Sequence, residues 1–364
     1  MKVIDADAHV EECEETWKFL DREFYRLRPL PVRIDPDTPY GANNAFWLID
    51  GKAFPKLAGR GLHTFATPPI SEYAQSKPFS VGAQTLADIK TRLADMDRMR
   101  IDAQVVFPTL FLVTLSDDVR LEAALCRSYN SWMTENCRRS QGRIRFTAVV
   151  PMRDVAESVR ETRRARELGA VAVMTLGVVW DRELGNQEFF PFYAEAERLD
   201  MPVGVHFGWG APGLTDLFQN ILNSSFSAAM LPVMMGFYSI LSGGVLDGFP
   251  KLRVAFLEAG SEWLPYALHQ LERAWRRGRV PSMKRSPRDY LQGGNIYISV
   301  EADEDVPYLL QYIGEDQLVI ASDYPHGDPS HEEDMVGELE RRPDLSPRLR
   351  EKILCANPRR LYGF

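Results

Sequence analysis

Four short stretches of the chain carry the side chains that most readily hold a divalent metal. Asp5-Ala6-Asp7-Ala8-His9 lies near the N-terminus, and His206 closes Val203-Gly204-Val205. Glu258 follows Phe256-Leu257, and Asp323 and His326 follow Leu318–Ala321. Imidazole and carboxylate are metal ligands, and a bound ion can acidify water or polarise a carbonyl. Alternation along a strand sends Asp5, Asp7 and His9 to one face, so Asp7 and His9 can reach one ion. Each residue alone has a plainer reading. Asp7 could cap a turn, His206 could be a satisfied core histidine, and Glu258 could cap the helix beginning near Glu262. Taken together the stretches carry more weight, because each follows a different apolar run.

Those runs are what must position the chemistry. They are Val3–Ala6, Ala103–Phe107, Arg145–Val150, Ala170–Leu176, Pro202–His206, Arg253–Leu257, Asn295–Val300 and Leu318–Ala321. Near-continuous apolar runs suit parallel strands covered on both faces. Amphipathic stretches such as Asp154–Leu168 and Phe190–Leu199 alternate with them. The pattern predicts an α/β fold, a (β/α)8 TIM barrel, as a single domain over residues 1–364. In such a barrel, groups at the C-terminal strand ends share one rim, where these two imidazoles and three carboxylates would converge. Residues from about 28 to 84 break the repeat. They read as an irregular insertion after the first strand, covering the barrel mouth or a dimer interface. Asn223–Gly244, with Met230, Met234, Met235 and Phe226, reads as a buried helix or as a pliable apolar substrate wall.

Composition narrows the class. The 364 residues are 45% hydrophobic and 26% charged, ordinary for a globular protein. A net charge of −8 argues against nucleic acid or an anionic membrane as partner. The basic run Arg273, Arg276, Arg277 and Arg279 reads as a solvated helix end. The N-terminus has no signal-peptide core, and the apolar stretch from Phe226 to Leu246 is interrupted by Ser, Pro and Gly. Cys13, Cys126, Cys137 and Cys355 show no CxxC spacing and read as reduced thiols, so a cytoplasmic location is expected.

The stretches IDADAH (4–9), MDRMRIDAQVVFPT (96–109), VGVHFGWG (203–210), GGVLDGFPKLRVAFLEAGSEWLP (243–265) and ASDYPHGD (321–328) span nearly the whole chain. In this order they resemble the amidohydrolase superfamily, specifically amidohydrolase family 2. This is its decarboxylase-like branch, related to aminocarboxymuconate-semialdehyde decarboxylase. The resemblance implies metal ligands at Asp7, His9, His206 and Asp323. The chain departs from the family in three ways. Asp7 replaces the first His of the usual HxH, Glu258 stands where relatives place a sixth-strand His, and Val173–Leu176 lacks the lysine that bridges binuclear relatives.

Asp7, Glu258 and Asp323 bring three negative charges against neutral His9 and His206. One dication leaves −1; two leave +1, which a bridging hydroxide neutralises. One or two ions are therefore expected, two being favoured with Glu258 as bridge, and zinc, iron, manganese or cobalt all suit the donors. The expected reaction is hydrolysis of an ester, thioester, amide or activated C–C bond by metal-activated water. Asp323 would serve as base, and His326 would bind substrate or the oxyanion. The Met- and Phe-rich segment together with Trp209 suggests a bulky apolar acyl group. The alternative is non-oxidative decarboxylation of an aromatic or unsaturated acid, ranked second because Glu258 adds negative charge beside a carboxylate substrate. A binding barrel without catalysis is the third reading. Trp209, His63 and Arg60 are candidate substrate contacts, although a solvated loop position is the plainer reading of Arg60. His269 and His331 read as packing or surface residues, and the resemblance with the aromatic insertion implies a homodimer.

Overall fold

Small and β-branched apolar residues build eight parallel strands. They are β1 (Ile4–Val10), β2 (Ala103–Pro108), β3 (Ile144–Val149), β4 (Ala172–Leu176), β5 (Val203–His206), β6 (Val254–Leu257), β7 (Ile296–Val300) and β8 (Leu318–Ile320). The computed structural model describes residues 2–327 and 329–364; Asp328, which ends the ASDYPHGD stretch, lies outside them. The strands pair in chain order from β1 to β8. The ring meets itself where Asp323 N–H donates to the Asp7 carbonyl (3.1 Å) and His9 N–H to the Tyr324 carbonyl. This is the (β/α)8 barrel expected from the alternating runs. Every residue of β5 and β6 is buried, as parallel strands covered on both faces require.

One boundary matters for function. The first apolar run is Val3–Ala6, and β1 continues through His9, which pairs with Phe107 of β2, as the alternation of Asp7 and His9 along one strand requires. Asp7 and His9 thus lie within β1 and His206 closes β5, whereas Glu258 and Asp323 lie just past β6 and β8. The register between β1 and β2 slips between Asp5 and Ala8.

Three of the helices between the strands start at aspartates. Asp88, Asp118 and Asp154 accept hydrogen bonds from the N–H groups of Thr91, Arg120 and Glu157, satisfying donors that a helix start leaves free. The predicted helices at Asp154–Leu168 and Phe190–Leu199 appear as Val155–Glu167 and Phe190–Arg198. Within residues 28–84 a three-stranded antiparallel sheet forms from Leu30–Arg33, Ala45–Ile49 and Lys52–Phe54. Its second turn is Asp50-Gly51, both at positive φ, a hairpin signal present in the sequence but obscured by the surrounding prolines.

The methionine-rich segment is helical from Ile221 to Ser242 through a π turn at Ser225–Met230. By length and composition alone this run could cross a membrane, but 56% of its most apolar window is buried inside the fold. Val233, Gly236, Phe237 and Ile240 are buried, while Phe226, Met235 and Tyr238 face outward.

Candidate metal centre

The C-terminal rim gathers the predicted residues. His206 Nε2 lies 2.9 Å from Asp7 Oδ2 and 3.2 Å from Glu258 Oε2. His9 Nε2 lies 3.5 Å from Asp7 Oδ1, 3.4 Å from Glu258 Oε2 and 3.6 Å from Asp323 Oδ1. Asp323 Oδ1 is in turn 2.7 Å from His326 Nδ1. Two four-residue sets result, Asp7-His9-His206-Glu258 and His9-Glu258-Asp323-His326, each with donor atoms within 4.8 Å of one another. All six residues are buried.

Backbone geometry aims the acids inward. Glu258 (φ +53°) and Asp323 (φ +52°) both adopt the left-handed region just past the ends of β6 and β8. Such a conformation is costly for a side-chain-bearing residue and concentrates at functional sites. Beneath the cluster lies Phe107, whose ring centroid is 4.9 Å from that of His206. Gly204 makes room for it, since a Cβ there would stand 3.2 Å from the Phe107 ring.

The imidazoles are oriented for ligation. His9 Nδ1 is 3.0 Å from the Pro108 carbonyl and His206 Nδ1 is 2.9 Å from the Phe207 carbonyl. A nitrogen facing a carbonyl carries a proton, so in the neutral form that ligation requires each Nε2 presents its lone pair to the cluster. Both Nε2 atoms and both Asp7 oxygens are buried without a hydrogen-bond partner among the described residues. Lone pairs and carboxylate oxygens packed this closely repel unless a cation lies among them, and the donor set fits a divalent ion of mixed N/O preference. Burial, with the neighbouring His206, holds His9 well below its ordinary pKa, in the neutral form a ligand needs. Burial raises the Asp7 carboxyl, against the pull of His206.

Asp5 does not join its neighbours. Its Oδ1 accepts from Ser322 N–H (2.9 Å), and its Oδ2 accepts from Ser322 Oγ (2.5 Å) and Gln104 Nε2 (2.9 Å). Gln104 Oε1 accepts from Arg92 Nε (2.8 Å), and both Arg92 terminal nitrogens donate to the His9 carbonyl (3.1 Å). Asp5 therefore ties β1 to β8 below the metal donors.

Several residues beyond the predicted set complete the rim. Thr109, at the end of β2, has its Oγ1 2.9 Å from His326 Nε2; its place at a strand end was the available signal. A cavity of about 270 Å³ opens beside His326, lined among others by Glu11, Phe65, Thr67, Lys77 and Thr109. Phe65 and Lys77 come from the irregular stretch, where no periodicity marks them. The outward-facing Phe226 and Met235 do not line this cavity, which removes the basis for a bulky apolar acyl group.

The three candidate substrate contacts lie apart from the cluster. Trp209 Nε1 donates to Ser224 Oγ (3.0 Å), which donates to the Leu62 carbonyl (2.6 Å), so Trp209 pins the insertion to the barrel. His63 is buried, with Phe54 at 5.7 Å and Trp209 at 5.9 Å between ring centroids. Burial lowers its pKa to about 3. Phe65, rather than either of these, stands against His326 at 5.3 Å. Arg60 is exposed, and its Nε donates to the Asp216 carbonyl at 3.0 Å.

A (β/α)8 barrel with imidazole and carboxylate donors gathered at the C-terminal ends of β1, β5, β6 and β8 defines a protein of the metal-binding barrel class. The sequence model of the Amidohydrolase family (Amidohydro_2) matches residues 4–364, and the chain belongs to that family. Among curated relatives, gamma-resorcylate decarboxylase of Rhizobium radiobacter is 24% identical over 297 residues, covering 76% of this chain and 88% of the relative. An amidohydrolase from Mycobacterium avium subsp. paratuberculosis K-10 shares the fold with a TM-score of 0.79 at 21% identity, over 100% of this chain and 99% of that one. The 5-carboxyvanillate decarboxylase of Novosphingobium aromaticivorans, solved with manganese, has a TM-score of 0.68 at 23% identity, over 80% and 86%. The decarboxylase-like branch implied by the motifs is thus the one these relatives occupy.

The expectation of a hydrolase or thioesterase is corrected by the relatives named as decarboxylases. On the sequence alone, Glu258 would repel a carboxylate substrate, which favours hydrolysis. In the structure Glu258 Oε2 points into the donor cluster against His9 and His206. A dication held there would neutralise it, so the repulsion argument lapses.

Proposed function

We propose that the chain is a metal-dependent, non-oxidative decarboxylase of an aromatic or otherwise unsaturated carboxylic acid. The observation that carries this reading is the buried donor cluster, joined through the Asp323–His326 pair to a cavity that Phe65 lines. The activities named for the relatives support the same reaction.

Asp7, His9, His206 and Glu258, whose donor atoms lie within 4.8 Å of one another, would hold the ion, with Asp323 beside them. One ion is favoured over two. Both donor sets depend on His9 Nε2, whose single in-plane lone pair serves one metal, because Nδ1 already faces the Pro108 carbonyl. Manganese, zinc or iron suits the donors, manganese being the ion of the Novosphingobium relative. When bound, the ion supplies Lewis-acid polarisation of a substrate oxygen.

The chain's own residues handle the proton. Decarboxylation of a ring acid requires a proton at the carbon that bears the carboxylate; the C–C electron pair then returns to the ring as carbon dioxide leaves. Asp323 Oδ1, 2.7 Å from His326 Nδ1, sits between donors and cavity and is the group placed to deliver that proton. Thr109 Oγ1, on the other ring nitrogen, fixes the His326 orientation. Phe65 supplies a flat apolar wall.

The test is incubation of manganese-loaded protein with gamma-resorcylate, 5-carboxyvanillate and other carboxylated phenols, following carbon dioxide and the decarboxylated ring. Release should occur for at least one acid and fall by about 10²–10⁴-fold in Asp323→Asn. Recovery of every acid intact would overturn the reading.

A further inference from the structure

The cavity beside His326 contains a charge that the proposed reaction does not use. Lys77 is a buried ammonium (side chain 6% exposed) whose Nζ is 2.6 Å from Glu11 Oε1, itself on a side chain 5% exposed. Both residues line the cavity. An ammonium has three N–H donors. Among the described residues Glu11 is the only acceptor hydrogen-bonded to it; the Tyr73 ring lies 5.3 Å from Nζ, and no second oxygen acceptor meets the ammonium in a site largely withdrawn from water. Thr67 Oγ1, on the same cavity wall, is buried without a partner. Donors placed like these call for an anionic acceptor from the ligand.

Which anion follows from the reaction. Firm ion pairing to the carboxylate that departs would stabilise the ground state more than a transition state that is losing that charge. An ammonium fixed in the cavity wall is better matched to a group that keeps its charge throughout. Resting on the decarboxylase reading, we infer that Lys77 binds a second, non-reacting anionic substituent, so that the substrate is an unsaturated or aromatic diacid or an equivalent dianion. Thr67 offers a further hydrogen bond to that substituent. Glu11 holds the ammonium in place and, by sharing its charge, limits how tightly the anion binds.

The experiment measures binding, independent of turnover, on manganese-loaded protein by calorimetry. The probes are benzoate and the three benzene dicarboxylates (1,2-, 1,3- and 1,4-). At least one dicarboxylate should bind wild-type protein about tenfold or more tighter than benzoate, the size of a charge-assisted hydrogen bond. Lys77→Met should erase that preference while leaving benzoate binding unchanged, and Lys77→Arg should restore most of it. Glu11→Gln, which keeps the ammonium and removes its competitor, should widen the preference. The assignment is overturned by the absence of a dicarboxylate preference in the wild type, by its survival in Lys77→Met, or, if that variant does not fold, by an unchanged preference in Glu11→Gln. A preference that persists while no acid releases carbon dioxide would sink the decarboxylase reading and leave Lys77 as an anion site. Carbon dioxide release without the preference would sink the Lys77 assignment alone.

Discussion

Replacing Glu12 with Gln isolates one buried carboxyl whose protonation state the fold controls. Glu12 follows β1 and is 2% exposed. Its Oε2 accepts from Leu110 N–H (2.8 Å), while its Oε1 has no hydrogen-bond partner among the described residues. Burial raises its pKa from an ordinary 4.5 to about 8, against the lowering effect of the Leu110 N–H. The folded state therefore binds a proton that the unfolded state has released between those two values. Stability from this group is fully present below about 4.5 and is lost as pH rises through about 8. With 1.36 kcal/mol per tenfold change in proton affinity, the loss between pH 5 and 8 amounts to about 3–4 kcal/mol. Gln is close in shape to the protonated acid and can keep the bond to Leu110 without titrating. The assay is urea unfolding of wild type and Glu12→Gln at half-unit steps from pH 5 to 8.5, taking the difference at each pH so that other titrating groups cancel. The variant should gain on the wild type as pH rises, by about 3 kcal/mol over the range. A difference that stays flat, or that shrinks with rising pH, would refute the claim that Glu12 is held neutral.

Two further outcomes follow from the geometry. His206→Ala removes a lone pair aimed at Asp7 and Glu258, so metal affinity measured by chelator competition should fall on the order of 100-fold or more; undiminished affinity would place the ion elsewhere. Gly208→Ala puts a Cβ 2.5 Å from the Leu112 carbonyl oxygen at φ +150°. It should lower unfolding stability by about 1–3 kcal/mol, and an unchanged urea midpoint would contradict the packing of the loop that carries Trp209.

The relation between the hydrolytic expectation and the decarboxylase reading turns on Glu258. As a letter in the sequence it is an extra negative charge near a substrate. In the fold it is 3.2 Å from His206 and 3.4 Å from His9, part of the donor set itself. The same residue type at the same strand end supports opposite inferences until its neighbours are known.

The sequence by itself determined the barrel and most of the residues that its rim brings together. Eight apolar runs were legible because parallel strands are buried on both faces, and Asp7, His9, His206, Glu258 and Asp323 were legible because strand ends of a barrel share a rim. Tertiary structure alone decided the rest. Asp5 is taken up by Ser322 and Gln104 rather than by the cluster, a partnership that counting by twos does not reveal. The two donor sets proved to share one His9 nitrogen, a fact of angle and distance rather than of spacing. Lys77 and Phe65 reach the cavity from an irregular stretch far from most of the rim in sequence. Periodicity records only which face of a regular element is buried; contacts made by irregular backbone depend on closure of the whole fold and leave no repeat to read.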